Sequence, residues 1–240
     1  MPFMKLDALF FAAHPDDVEL SCGGTVVKFI ESGKKVGIID LTRGEMGTRG
    51  SARIREEEAR RAARVLKIHV RENLRMPDGN IQLTTENKSR VISVIRKFRP
   101  KSIFVPYPSD RHPDHSHASR LVEESAFYSG LVKVRTLEKG KSQPAFRPEK
   151  VFFYMQAFTF TPTFIVDISK QFGRKMEAIH CYSSQFYDPE SEEPETFISD
   201  KKFLDYIETR ARHYGFSIGK EYGEPFYARV PPEALLENLL

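Results

Sequence analysis

The sequence predicts an α/β fold: a single domain over residues 1–240, with a mostly parallel sheet, helices on both faces and a ligand site at the C-terminal ends of the strands. Three observations predict it. Short apolar runs alternate with amphipathic stretches through the first half, as βαβ units require. No Pro/Gly/Ser-rich linker, internal repeat or low-complexity segment divides the chain. The tripeptide His-Pro-Asp follows two of the predicted strands, at residues 14–16 and 112–114.

The first strand is residues 6–13, whose apolar run from Ala8 to Ala13 reads as buried on both faces. It is too short to span a membrane, and Asp7 before it and His14-Pro15-Asp16-Asp17 after it argue against a signal peptide. A helix is expected over 24–32 with Gly33 as its stop, then a strand over 36–41. Residues 53–66 place Ala59, Ala62, Ala63 and Leu66 at helical spacing between arginines and glutamates. Residues 70–76, partly polar, suggest a strand at a sheet edge. Val91, Val94, Ile95 and Phe98 share one face of a helix that Pro100 ends, and 103–107 follows as the fourth strand. Further strands are expected at 151–155 and 164–167, and Ser169 and Ser199 are expected to cap helices near 170–180 and 200–214. Two charged stretches, basic 133–148 and acidic 188–195, read as solvated loops, with a lid over the site as the competing reading of the second. The whole is a Rossmann-like arrangement.

Composition narrows the class. Apolar residues make up 40% of the chain, which suits a folded globular protein. Charges nearly cancel, 37 basic against 33 acidic, so the balance of +4 gives no footprint for nucleic acid. The basic loop is the one candidate for such a partner, and it would make binding steeply salt-dependent. Two cysteines, Cys22 and Cys181, support neither a disulfide framework nor a cysteine-based zinc site; they fit a reducing compartment, and the expected location is the cytoplasm.

The repeated tripeptide carries the chemistry. Composition alone would give on the order of 0.02 occurrences, so two copies are a specific signal. In an open parallel sheet, ligands bind outside the carboxyl ends of the strands, so His14-Pro15-Asp16-Asp17 and His112-Pro113-Asp114-His115 should converge there. Thr42-Arg43-Gly44-Glu45 and Met76-Pro77-Asp78-Gly79 should reach the same rim. Histidine and carboxylate without thiolate suit a catalytic zinc with three protein ligands and an open position for water, although a two-His, one-carboxylate set also accepts iron(II). A neighbouring carboxylate that does not ligate can take the water's proton, and adjacent Asp16 and Asp17 can face different partners. The competing reading is that one of these aspartates merely caps the next helix. A sugar- or nucleotide-binding module that performs no reaction would need no spare carboxylate beside a water site.

At these residues the sequence resembles the LmbE-like, or PIG-L, family of zinc-dependent N-acetylglucosaminyl deacetylases. The likeness rests on Ala12-Ala13-His14-Pro15-Asp16-Asp17-Val18-Glu19, the run from Thr42 to Gly50, Arg55 with Glu58, Pro77-Asp78-Gly79 and His112-Pro113-Asp114-His115. Lys175-Met176-Glu177-Ala178-Ile179, Ser184-Gln185-Phe186 and Gly223-Glu224-Pro225-Phe226 look like the branch that deacetylates N-acetylglucosaminyl malate in bacillithiol synthesis. The resemblance implies metal ligands at His14, Asp17 and His115, a general base at Asp16, and a transition-state histidine at His112 held by Asp114. It also implies substrate contacts from Arg55 and Asp78, a small N-acetylglucosamine conjugate as substrate, and a homo-oligomer. A different N-acetylglucosamine substrate, such as a chitin disaccharide, is the alternative. The chain departs from some relatives at Asp110, where they carry tyrosine, so no tyrosine role transfers there.

Overall fold

A computed structural model describes residues 4–233. The chain runs β1 (Ala8–Ala12), α1 (Asp17–Glu31), β2 (Val36–Asp40), α2 (Ala52–Leu66), β3 (Val70–Asn73), α3 (Thr85–Phe98), β4 (Ser102–Pro106) and α4 (Pro113–Ser129). It continues through a two-residue-arm hairpin, β5 (Leu137–Glu138) and β6 (Lys141–Ser142), to β7 (Lys150–Tyr154) and β8 (Phe164–Asp167). It closes with α5 (Phe172–His180), α6 (Phe203–Phe216) and β9 (Gly223–Tyr227). Seven strands form the central sheet in the order β3-β2-β1-β4-β7-β9-β8. β9 runs antiparallel to both its neighbours, and the pairings from β3 across to β7 are all parallel.

Alternation along the strands builds two cores. Ala8, Phe10 and Ala12 pack with α1, α2, α5 and α6, whereas Leu9, Phe11 and Ala13 pack with α3 and α4 on the opposite face. Phe10 stacks on Phe104 of the neighbouring strand with ring centroids 4.3 Å apart, and truncating such a fully buried ring costs about 3–5 kcal/mol. The strand order also fixes where a ligand can sit. From β1 the chain moves outward to β2 and β3, then α3 carries it back to β4 on the other side of β1. This reversal opens a crevice at the carboxyl ends of β1 and β4, the two strands that the His-Pro-Asp segments follow.

The fold matches the expected class and differs in four places. First, α1 starts at Asp17 rather than at residue 24, and a break at Cys22 (φ −144°, ψ 24°) divides it. Beyond the break Glu224 of β9 acts as a remote cap, accepting from Gly24 N at 3.0 Å and from Thr25 N and Oγ1 at 2.6 Å each. A side chain at Gly24 would meet Ile168 at 2.7 Å, so only glycine fits there. Second, α4 and β9 are regular elements where no helix or strand was expected, and the basic loop carries the small hairpin. Third, the two serines do not cap: α5 begins after Gln171, and Ser169 Oγ donates to Asp167 at 2.7 Å. Ser199 closes a short turn reciprocally with Thr196, and α6 begins after Lys202. Fourth, the acidic loop is tied down at one point, where Glu193 accepts from Gly50 N at 3.0 Å. Among the described residues no helix is long and apolar enough to cross a membrane.

Candidate metal centre and active site

The two His-Pro-Asp segments meet in the crevice. The ring centroids of His14 and His112 lie 4.7 Å apart, and those of His14 and His115 lie 5.4 Å apart. The turn after β1 bends sharply because Asp16 adopts φ 107°, ψ −28°, a conformation L residues rarely hold and one that concentrates at functional sites. Asp16 precedes α1 but its side chain makes no capping bond, which excludes the helix-cap reading for it. The tight turn sends the adjacent carboxylates in different directions. Asp17 accepts from His14 N at 2.9 Å and lies 3.2 Å from His115 Nε2, while Asp16 faces Arg55 at 2.7 Å.

Each outer histidine spends one ring nitrogen on a carboxylate. His14 Nε2 lies 2.9 Å from Asp78 and 3.5 Å from Asp114, and His115 Nδ1 lies 2.8 Å from Asp110. That leaves His14 Nδ1 and His115 Nε2 on the Asp17 side, at 3.8 and 3.2 Å from its oxygens. Two imidazole nitrogens and a carboxylate, with a further carboxylate fixing each ring, could hold a divalent metal. His14, His112 and His115 bring candidate ligand atoms within 4.8 Å of one another, as do His14, Asp78 and Asp114.

The electrostatics point the same way. Burial opposes charge on His14, but the hydrogen bonds to Asp114 and Asp78 and the nearby Asp17 outweigh it and lift its pKa to about 10. Burial likewise opposes charge on His115, yet the Asp17 charge and the Asp110 hydrogen bond lift it to about 9. Asp17 is held far below the usual carboxylate range because the two imidazoles overcome its burial. The pocket of carboxylates therefore demands positive charge, which protonated rings supply here and a divalent cation suits equally. Asp16 behaves differently: burial raises it to about 7 against the pull of Arg55.

Not every expected contact is made. Asp114 does not hold His112 with its carboxylate, which instead accepts from Gly79 N at 2.7 Å and Ile81 N at 3.3 Å beside His14. Its backbone N–H donates to His112 Nδ1 at 3.2 Å, so the ring hydrogen of neutral His112 sits on Nε2. Arg55 is buried and donates to Asp16 and to the carbonyl of Pro15. Gly44, at φ 66°, leaves room for it, since a Cβ there would collide with its Nη1. Asp78 is spent on His14 and on Met46 N at 2.8 Å, and the His14 contacts outweigh burial to hold its pKa at about 2. Arg55 and Asp78 nevertheless line the cavity.

Three residues join the site that sequence reasoning did not assign to it. Asp110 orients His115, and its other oxygen accepts from Ala157 N and Phe158 N at 2.8 and 3.2 Å. Gln156, just past β7, donates to Asp17 at 2.7 Å. Arg210 of α6 pins that same loop through the Gln156 carbonyl and reaches Leu20 O of α1. The rule that strand ends converge would have pointed to Gln156, and the close spacing to His115 to Asp110. Together these groups line a cavity of about 340 Å³. Its lining also includes Arg49, which is buried 3.7 Å from Glu193, and exposed Arg111, stacked 4.3 Å over the Phe197 ring.

Comparison with known proteins gives the family. Residues 9–126 match the model of the PIG-L family, GlcNAc-PI de-N-acetylase. The chain is 32% identical over 223 residues to a diacetylchitobiose deacetylase of Thermococcus kodakarensis, covering 88% of this chain and 78% of the relative. It is 25% identical over 186 residues to a probable N-acetyl-alpha-D-glucosaminyl L-malate deacetylase of Bacillus anthracis, covering 72% and 78%. Among solved structures, a conserved protein of Thermus thermophilus superposes with a TM-score of 0.86 at 36% identity, covering 96% of this chain and 97% of that one. With the cleft, the paired carboxylates and these likenesses in agreement, the chain belongs to the PIG-L, or LmbE-like, family of deacetylases.

Proposed function

We propose that the chain hydrolyses the acetamide of an N-acetylglucosamine conjugate, N-acetyl-α-D-glucosaminyl L-malate, to acetate and the free amine. The observation that carries the reaction is the division of labour between Asp16 and Asp17: one carboxylate joins the two imidazoles, and its neighbour stays apart beside Arg55. His14, Asp17 and His115 would hold zinc. The chemistry a zinc ion supplies in such a site is a polarised amide carbonyl and a water of lowered pKa. Asp16 would take a proton from the attacking water and deliver it to the leaving nitrogen, with Arg55 fixing the carboxylate's direction. His112, with its hydrogen on Nε2, donates to the oxygen on which negative charge develops.

The malate aglycone is supported by the charge layout of the cavity. Two guanidinium groups, Arg49 and Arg111, share the cavity lining with the carboxylates; Arg49 lies 3.7 Å from Glu193, and Arg111 pairs with no carboxylate among the described residues. Guanidinium groups so placed suit a dicarboxylate. The diacetylchitobiose relative favours a second reading, a neutral disaccharide whose outer sugar would stack on Phe197. Acetate release from the malate conjugate, N-acetylglucosamine and diacetylchitobiose at equal concentration separates them. Preference for the malate conjugate is expected; preference for the disaccharide would replace the substrate, and no release from any would overturn the reaction.

A further inference from the structure

Gln156 occupies a place that neither the ligand set nor the proton-transfer groups explain. Its amide nitrogen lies 2.7 Å from Asp17 Oδ1 and 3.3 Å from His115 Nε2, and those two atoms lie 3.2 Å from each other. Ligands about 2.0–2.2 Å from one zinc ion stand roughly 2.8–3.6 Å apart, so the amide sits at ligand spacing from His115 and, at hydrogen-bond length, just inside it from Asp17. It donates to one group, Asp17, and abuts another, His115, that would otherwise face a cation. Its oxygen, meanwhile, is buried without a hydrogen-bond partner. A buried unpaired acceptor calls for an explanation such as an ion. Half a turn about the last side-chain bond exchanges the two ends of the amide.

Resting on the reading that His14, Asp17 and His115 hold the metal, we infer that Gln156 is a fourth, exchangeable protein ligand at that position. Its amide donates to Asp17 beside His115 in the metal-free site and turns its oxygen to the cation when one arrives. The loop is built to hold it there. Arg210 fixes the Gln156 carbonyl, and the next two backbone N–H groups bind the same Asp110 that orients His115. A neutral oxygen binds more weakly than a carboxylate, so it can hold a resting ion and yield its position to the substrate's carbonyl.

Zinc affinity of the full chain, read by competition with a chromophoric chelator, tests this in the wild type, Gln156→Leu and Gln156→Glu. The leucine variant should bind zinc about tenfold more weakly, and the glutamate variant more tightly than wild type. Leucine binding as tight as wild type, or tighter, overturns the inference, because the amide would then only fill the empty site. Should the leucine variant fail to fold by circular dichroism, a glutamate variant that binds no more tightly than wild type overturns it instead. Cobalt(II) gives a second readout: the visible bands of wild type and leucine variant should differ in intensity, and superimposable spectra count against a change of ligand. A wild-type chain that takes up no zinc would sink the underlying metal reading, an outcome distinct from equal affinities.

Discussion

The chain uses the same tripeptide twice and builds two different devices from it. After β1, the backbone of Asp16 is forced to positive φ, α1 starts at the next residue, and two adjacent carboxylates part company. After β4, Pro113 opens α4, the ring of His112 caps it by accepting from Asp114 N, and His115 follows within the first turn. In the proposed reaction one copy would deliver a ligand beside a spare base, the other a hydrogen-bond donor beside a ligand. The backbone that follows each copy, and not the tripeptide, decides which atoms face the cavity. Asp114 makes the point most plainly: although it stands where Asp16 stands in the first copy, its carboxylate turns back to hold His14 and the loop at Gly79.

Variants can break this comparison in order of expected severity. His115→Ala should remove a ligand and abolish both zinc retention and acetate release; full zinc occupancy measured by metal analysis would exclude His115 as a ligand. Asp16→Asn should retain zinc while turnover falls by about 10²–10⁴-fold, and near-normal turnover would refute its role as base. His112→Ala should retain zinc and cost about 10²–10³-fold in kcat, checked by steady-state kinetics; an effect confined to KM would move it to substrate binding. Asp110→Asn should weaken zinc by about 10–100-fold through the loss of the His115 contact, and unchanged affinity in the chelator competition would show that ring to be held by its packing alone.

The first half of the fold was legible because its apolar runs and helix stripes are clean, and the two motifs sit where strands must end. α4 was not, since its buried face mixes Ser119, Ser125 and Ser129 with Ala118, Leu121, Val122 and Ala126, which dilutes its apolar stripe. Its first turn, with Pro113 and two histidines, also looks like a loop. β9 was hidden by Glu224 and Pro225, residue types that strands disfavour. Pro225 pairs with Ile165 of β8, while the ladder to β7 begins only at Phe226, so its missing N–H breaks no bond on that side. At the site, the acid and histidine positions could be read from order along the chain. Partner choice could not: that Arg55 holds Asp16, or that Asp78 and Asp114 share His14, depends on where distant loops stack.

The remote cap on α1 has a consequence for how the molecule is made. Glu224 lies 200 residues beyond Gly24, yet it satisfies the amides exposed by the break in α1 and neutralises buried Lys175 at 2.7 Å. During synthesis the N-terminal strands emerge first and can pair, but the amides of Gly24 and Thr25 beyond the break in α1 stay uncapped until β9 slots between β7 and β8. Closing so long a loop is slow, so competence to take up metal should be among the last properties a new chain acquires.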